Sequence, residues 1–246
     1  SAESDTGPPS SSMPVTVTAL VWSPVASRLT STVTVNVAVS PGARSTPVHS
    51  QVAVSIARPV GLNVALTAAA ATGHDCGHGP AGHASEGALS PFLEGGYHHA
   101  VYGADVVLAP LNLCAETLDA IRNHSWNRPT PATPEGEVVA WADRIAYVCH
   151  DFEDAVDAGL VDRGDLPAEV AQVVGADRRS QLHGFITAMV DTIAATGTVA
   201  LREPEAGALA AFRAFNYERI YLRPEAVDQA DRAARLIASL AEYFLT

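Results

Sequence analysis

The chain has 246 residues, 48% of them hydrophobic, enough to bury one substantial core, and a formal net charge of −12 without a single lysine. That balance excludes stable nucleic-acid binding, which needs clustered cationic side chains. No apolar run approaches the ~20 residues of a membrane span, no basic-then-apolar leader opens the chain, and Cys76, Cys114 and Cys149 are too scattered for a disulfide framework, so a cytoplasmic protein with no membrane contact is expected.

Residues 1–12 are rich in Ser, Pro and Gly and read as a disordered tail. Residues 13–45 read as β-rich, because Val33, Val35, Val37 and Val39 alternate with Thr32, Thr34 and Asn36 up to the Pro41-Gly42 turn. After Pro47 the period changes. Val48, Val52, Ile56 and Val60 recur four apart, and an alanine-rich run from Val64 to Thr72 continues the helical pattern to His74. The segment GHDCGHGPAGH, Gly73 to His83, then places three imidazoles and a carboxylate beside turn-forming Gly77, Gly79 and Pro80. Consecutive helical side chains point about 100° apart, so His74 and Asp75 can share one ion only if a helix ends at that point.

Further on, a helix is expected over Leu113–Asn123, a proline-broken loop over Asn127–Gly136, and a long helix from about Glu137 to Ala158. Val138, Ala142, Ile145, Cys149, Phe152 and Val156 give that helix one apolar stripe. Asp143, Tyr147, Asp151 and Asp154 lie on its other side, facing either water or a pocket. Helices are also expected over Pro167–Val174, around Gln181–Ala195, and from Glu205 onward. The fold class is therefore mainly α, a helical bundle with a short N-terminal β segment or hairpin. Its organisation is expected to be a metal-binding core over 46–160 with a helical region, 161–246, packed on it.

Taken as a set, GHDCGHGPAGHASE (Gly73 to Glu86), GGYHHA (Gly95 to Ala100), LNLCAET (Leu111 to Thr117) with His124, and ADRIAYVCHD (Ala142 to Asp151) resemble the HD-domain dGTPase-like deoxynucleoside triphosphate triphosphohydrolases. The resemblance covers about Leu20 to Gly159 and continues more weakly through Phe215 to Ala226. It implies an HD-domain helical bundle with His49, His74, Asp75 and Asp143 holding a divalent ion, Mg or Mn first and Fe or Zn as alternatives. Mixed imidazole and carboxylate ligands suit any of these and leave positions for water and a phosphate oxygen.

The same resemblance implies catalytic roles near the α-phosphate for His83, Glu86 and His99. Glu86, three residues after His83, is placed to fix its tautomer. Tyr147 and Asp151 are implied on the deoxyribose, and Arg144, Arg44, Glu116 and His124 as further substrate-lining residues. His78 and His98 are expected in supporting or surface positions. Thr46 stands where the family usually has a phosphate-binding arginine, and Ala81 replaces an aromatic.

The expected activity is metal-dependent hydrolysis of a dNTP to deoxynucleoside and inorganic triphosphate by a homo-oligomer. Two alternatives stay open: an HD-type phosphatase of nucleoside monophosphates or other phosphate esters, and a catalytically weakened nucleotide-binding partner.

Overall fold

A computed structural model describes residues 48–245 and two backbone stretches, β1 (Val15–Thr18) and β2 (Thr34–Val37). β1 and β2 pair antiparallel, Val15 opposite Val37 and Thr18 opposite Thr34, within a unit that spans residues 1–46. The rest of the β-rich segment expected over 13–45 lies outside the described residues. The expected tail, Arg44 and Thr46 lie outside the described residues.

The second unit, residues 47–246, is helical where it is described. Its helices are α1 (Val48–Ala57), α2 (Val64–Gly73), α3 (Ala84–Leu89), α4 (His99–Tyr102) and α5 (Ala115–Arg122), followed by α6 (Pro134–Asp157), α7 (Ala168–Val174), α8 (Arg178–Thr196), α9 (Glu205–Asn216) and α10 (Pro224–Leu245). The period-four pattern after Pro47 is interrupted between α1 and α2, where Asn63 starts α2 by accepting from the backbone N–H groups of Ala65 and Leu66 at 3.1 Å. The helix expected from Glu205 onward is also two: a π-turn over Tyr217–Tyr221 and a break before Pro224 separate α9 from α10. Proline lacks the N–H that would continue the ladder.

α6 organises the core. Thr133 caps it by accepting from Gly136 N at 3.2 Å, with Pro134 at the first helical position, an arrangement worth about 1 kcal/mol. Its predicted stripe is buried at Val138, Ala142, Ile145, Cys149 and Phe152, against Val52 and Ile56 of α1, Phe185 and Met189 of α8 and Phe212 of α9. α2 and α5 pack on the same helix. The polar edge of α6 therefore faces the turn that follows α2, which is where the imidazoles gather. Among the described residues no helix is long and apolar enough to cross a membrane, and Cys76, Cys114 and Cys149 are free thiols.

Candidate metal centre

α2 stops at Gly73, so His74 and Asp75 leave the helix at successive positions and turn toward each other. His74 Nε2 lies 3.1 Å from Asp75 Oδ2 and 3.5 Å from Asp143 Oδ1. His49, on the first turn of α1, brings its Nε2 to 3.9 Å from the same Asp143 oxygen and sets its ring edge-on to His74. The four residues of the implied metal quartet thus converge from α1, the end of α2 and the middle of α6.

The close approach of the turn to α4 depends on Gly77. A Cβ there would lie 2.1 Å from the carbonyl oxygen of His99 and 2.4 Å from the N of Gly103. Tyr97 reinforces the contact by donating its hydroxyl to Gly77 O at 2.7 Å. The turn then bends through Ala81 and Gly82, both at positive φ (62° and 58°). For Ala81 that is a strained position, in the loop that presents His83.

The electrostatics are those of a site short of a cation. His74 is 4% exposed; its Nδ1 donates to Ala71 O at 2.9 Å, while its Nε2 is buried with no hydrogen-bond partner. Burial would lower the His74 pKa, but the Asp143 and Asp75 carboxylates raise it to about 10. A proton here stands in the place of positive charge that the carboxylates call for. Burial would likewise raise Asp75, yet His124, His74 and His78 hold it far below the usual carboxylate range. Asp143 is lowered too, because His74 outweighs its burial. An orphaned imidazole nitrogen between two ionised carboxylates fits a divalent ion.

The remaining sequence-predicted residues divide. His99 is buried, and Glu86 accepts from both its backbone N, at 3.1 Å, and its Nδ1. His83 Nδ1 lies 3.6 Å from Glu86, beyond hydrogen-bond range, and its side chain is 77% exposed. The expectation that Glu86 fixes the tautomer of His83 is therefore corrected: the start of α4 offers Glu86 two donors from one residue. Burial pulls His99 down to about 4, Glu86 opposing it only in part. His124, expected only to line the pocket, is buried in the cluster with Nε2 3.2 Å from His99 Nε2 and 3.6 Å from Asp75 Oδ1. His78 stacks on His99 with ring centres 3.9 Å apart, and His98 is held by Asn127 at 3.0 Å. Glu116 is exposed on the first turn of α5 and is not part of this cluster.

Beyond Asp143 the helix carries a different group. The Arg144 guanidinium lies 4.1 Å from the centre of the Trp126 ring and 5.2 Å from that of Trp141, so it is no free surface arginine. Arg213 stacks on Trp126 and on Tyr217, at 4.7 Å from each. The Nε atoms of both arginines are buried without a partner. A cavity of about 240 Å³ lined in part by Trp126, Trp141, Arg128 and Arg144 flanks the stack. Burial raises the Tyr147 pKa, with Arg213 and Trp126 opposing it, and Asp151 accepts from the Tyr221 hydroxyl, while Asp154 faces water. Burial raises the Asp151 pKa. Trp126, Arg213, Tyr217 and Tyr221 carried no individual signal in the sequence; the weak similarity across Phe215 to Ala226 was the available hint for the two tyrosines.

Residues 50–148 match the HD domain family. The chain is 33% identical over 201 residues to a deoxyguanosinetriphosphate triphosphohydrolase-like protein of Caldanaerobacter subterraneus subsp. tengcongensis, covering 79% of this chain and 59% of that one. A protein of the same description from Clostridium perfringens is 34% identical over 209 residues, covering 79% and 61%. Another, from Ruegeria sp., is 32% identical over 260 residues, covering 79% and 68%. The chain thus spans about three fifths of the length of the first two relatives.

Proposed function

Because the chain belongs to the HD-domain, deoxyguanosinetriphosphate triphosphohydrolase-like family, we propose that it is a metal-dependent phosphohydrolase that cleaves a dNTP into deoxynucleoside and inorganic triphosphate. The observation that carries the reading is that the consecutive α6 residues Asp143 and Arg144 join a cation-seeking pole, completed by His49, His74 and Asp75, to the anion-seeking Arg144–Trp126–Arg213 stack. A divalent ion in the quartet, Mg or Mn first, would polarise a phosphoryl oxygen and offset charge as the P–O bond breaks.

The chain's own residues supply the rest. Arg144 and Arg213 have unpartnered donors to offer a triphosphate, and so compensate for the threonine at position 46. In this reading the exposed His83 gives a proton to the leaving 5′-oxygen of the deoxynucleoside, while Glu86 orients His99. Asp151, steadied by Tyr221, accepts from the sugar 3′-hydroxyl, and the Tyr147 ring closes the space a 2′-hydroxyl would need. The same reading takes the protein to be cytoplasmic and homo-oligomeric, the latter supported by the exposed apolar side chains Leu236, Leu240 and Phe244 of α10.

The test is to incubate the purified protein with each dNTP and Mn²⁺ and to resolve the phosphorus products by ³¹P NMR. Inorganic triphosphate is the expected product. Orthophosphate instead would mean a general phosphatase, and nucleotide binding without turnover would mean a regulatory partner.

A further inference from the structure

We infer that the cavity between the α5–α6 loop and the start of α6 is an oligophosphate-binding site in which Arg128, a residue outside the metal cluster, is the principal contact. The ligand is a chain of phosphates, either the far end of a bound nucleoside triphosphate or free inorganic triphosphate. Only the source of that chain rests on the proposed reaction.

The charges of the cavity are unbalanced. It encloses about 240 Å³, and its walls carry two guanidiniums, Arg128 and Arg144, against one carboxyl, Glu137. Five other arginines make ion pairs with carboxylates among the described residues, whereas Arg128 and Arg144 make none. Glu137 thus stands apart from both, and burial raises its pKa toward the neutral acid. On a chain of net charge −12, an anion needs such a local excess of cations to be held at all.

The loop that carries Arg128 is braced at both ends. Arg128 N donates to Ser125 O at 3.1 Å, closing a turn directly after His124, and Arg128 Nε donates to Arg122 O at 3.2 Å. Asp119 accepts from Asn123 Nδ2 at 2.8 Å and from Ala132 N at 2.7 Å. Gly136 lets the loop lie directly on the helices: a Cβ there would be 2.6 Å from Pro131 Cβ and 3.1 Å from Ala120 Cβ. With Nε tied to a carbonyl, the plane of the Arg128 guanidinium is set. Its terminal nitrogens have no partner among the described residues. A planar fork oriented in this way suits bidentate bonding to a phosphate and loses little freedom on binding.

The aromatic walls favour a phosphate chain over a base. The Trp126 ring already carries Arg144 at 4.1 Å and Arg213 at 4.7 Å, and Arg144 also lies 5.2 Å from the Trp141 ring centre. These indoles hold cations in place. Arg144, whose Nε is buried without a partner, belongs to both the stack and the cavity. Arg128 therefore extends the anion-seeking group from two arginines to three.

The test is calorimetric titration of metal-free protein with inorganic triphosphate and, separately, with orthophosphate, so that no ion in the imidazole cluster can hold the anion. One triphosphate per chain is expected, bound more tightly than orthophosphate. Arg128→Gln should weaken it by about 10–100-fold, the loss expected for charge-assisted hydrogen bonds. Arg128→Lys should recover part of the affinity, because it keeps the charge and loses the fork. Circular dichroism checks the fold, and if Arg128→Gln does not fold, a loss in Arg128→Lys decides. No binding by the wild type, equal affinity for the two anions, or unchanged affinity in both variants would overturn the site.

The metal-loaded enzyme separates the two sources. Displacement of triphosphate by a dNTP, with a raised KM in Arg128→Gln, supports the site as the seat of the substrate's far phosphates; simultaneous binding of both supports it as a seat for the free anion. Arg128-dependent triphosphate binding by a protein that cleaves no dNTP would leave the site standing and remove the proposed reaction. Cleavage of a dNTP to inorganic triphosphate, with affinity indifferent to Arg128, would do the reverse.

Discussion

Around Asp143 the cationic partners are imidazoles; one residue further along α6, around Arg144, they are guanidiniums stacked on indole and phenol rings. At the first pole burial and opposed charges move pKa values, His74 up and Asp75 down, so its charge state responds to protons and ions. At the second, arginine stays cationic through the working pH range, and its affinity for an anion is set by geometry and desolvation. One helix thus carries a site that exchanges protons for metal next to a site whose charge is permanent. The difference matters because phosphoryl chemistry uses both a removable, tunable cation and a fixed grip on the phosphate chain.

Breaking the first pole should have the largest effect. Asp143→Ala removes the oxygen shared by His49 and His74. It should lower Mn²⁺ affinity and turnover by more than the ~10–100-fold typical of losing an outer-shell partner. Atomic absorption and product assay check this. Retention of both ion and activity would remove Asp143 from the site.

The proton linkage sharpens the contrast. In the metal-free protein His74 is protonated at neutral pH, since its pKa of about 10 lies above the ordinary 6.5. An ion must displace that proton to reach the Nε2 lone pair, so affinity should fall as pH falls, by about tenfold per unit for one proton released. Calorimetry of Mn²⁺ binding at pH 7 in buffers of different ionisation enthalpy counts the proton. No proton release would mean that the ion does not bind at His74. The arginine pole should show no such dependence between pH 6 and 9.

A smaller effect is expected from removing the platform of the second pole. Trp126→Ala takes away the ring on which both Arg144 and Arg213 rest. Loss of two cation–π contacts of about 0.5–1 kcal/mol each predicts a rise in KM for a dNTP of about fivefold to thirtyfold. Mn²⁺ stoichiometry should stay unchanged. A loss of metal together with nucleotide affinity would show that the two poles are not separable.

Much of this protein is legible in one dimension because helix formation and helix ending are local. The stripe from Val138 to Phe152, the cap at Thr133-Pro134 and the stop after Gly73 depend on neighbours within one or two turns. The order His49, His74-Asp75, Asp143 is a linear signal of the same kind. No local rule, however, brings His99 against His124 across 25 residues, or Tyr221 onto Asp151 across 70. The packing of α4 on α5 and of α5 and α9 on α6, and the absence of a Cβ at Gly77 that lets the turn lie on α4, decide those contacts. The choice of Glu86 between His83 and His99 has the same origin. Spacing favoured the residue three positions away, and the packed start of α4 offered two donors instead of one. Sequence by itself thus determined the helices, their ends and the chemistry of the ligands, because these follow from period and residue type. Which ligands face one another was decided by tertiary packing, because inter-helix geometry is set by side chains far apart along the chain.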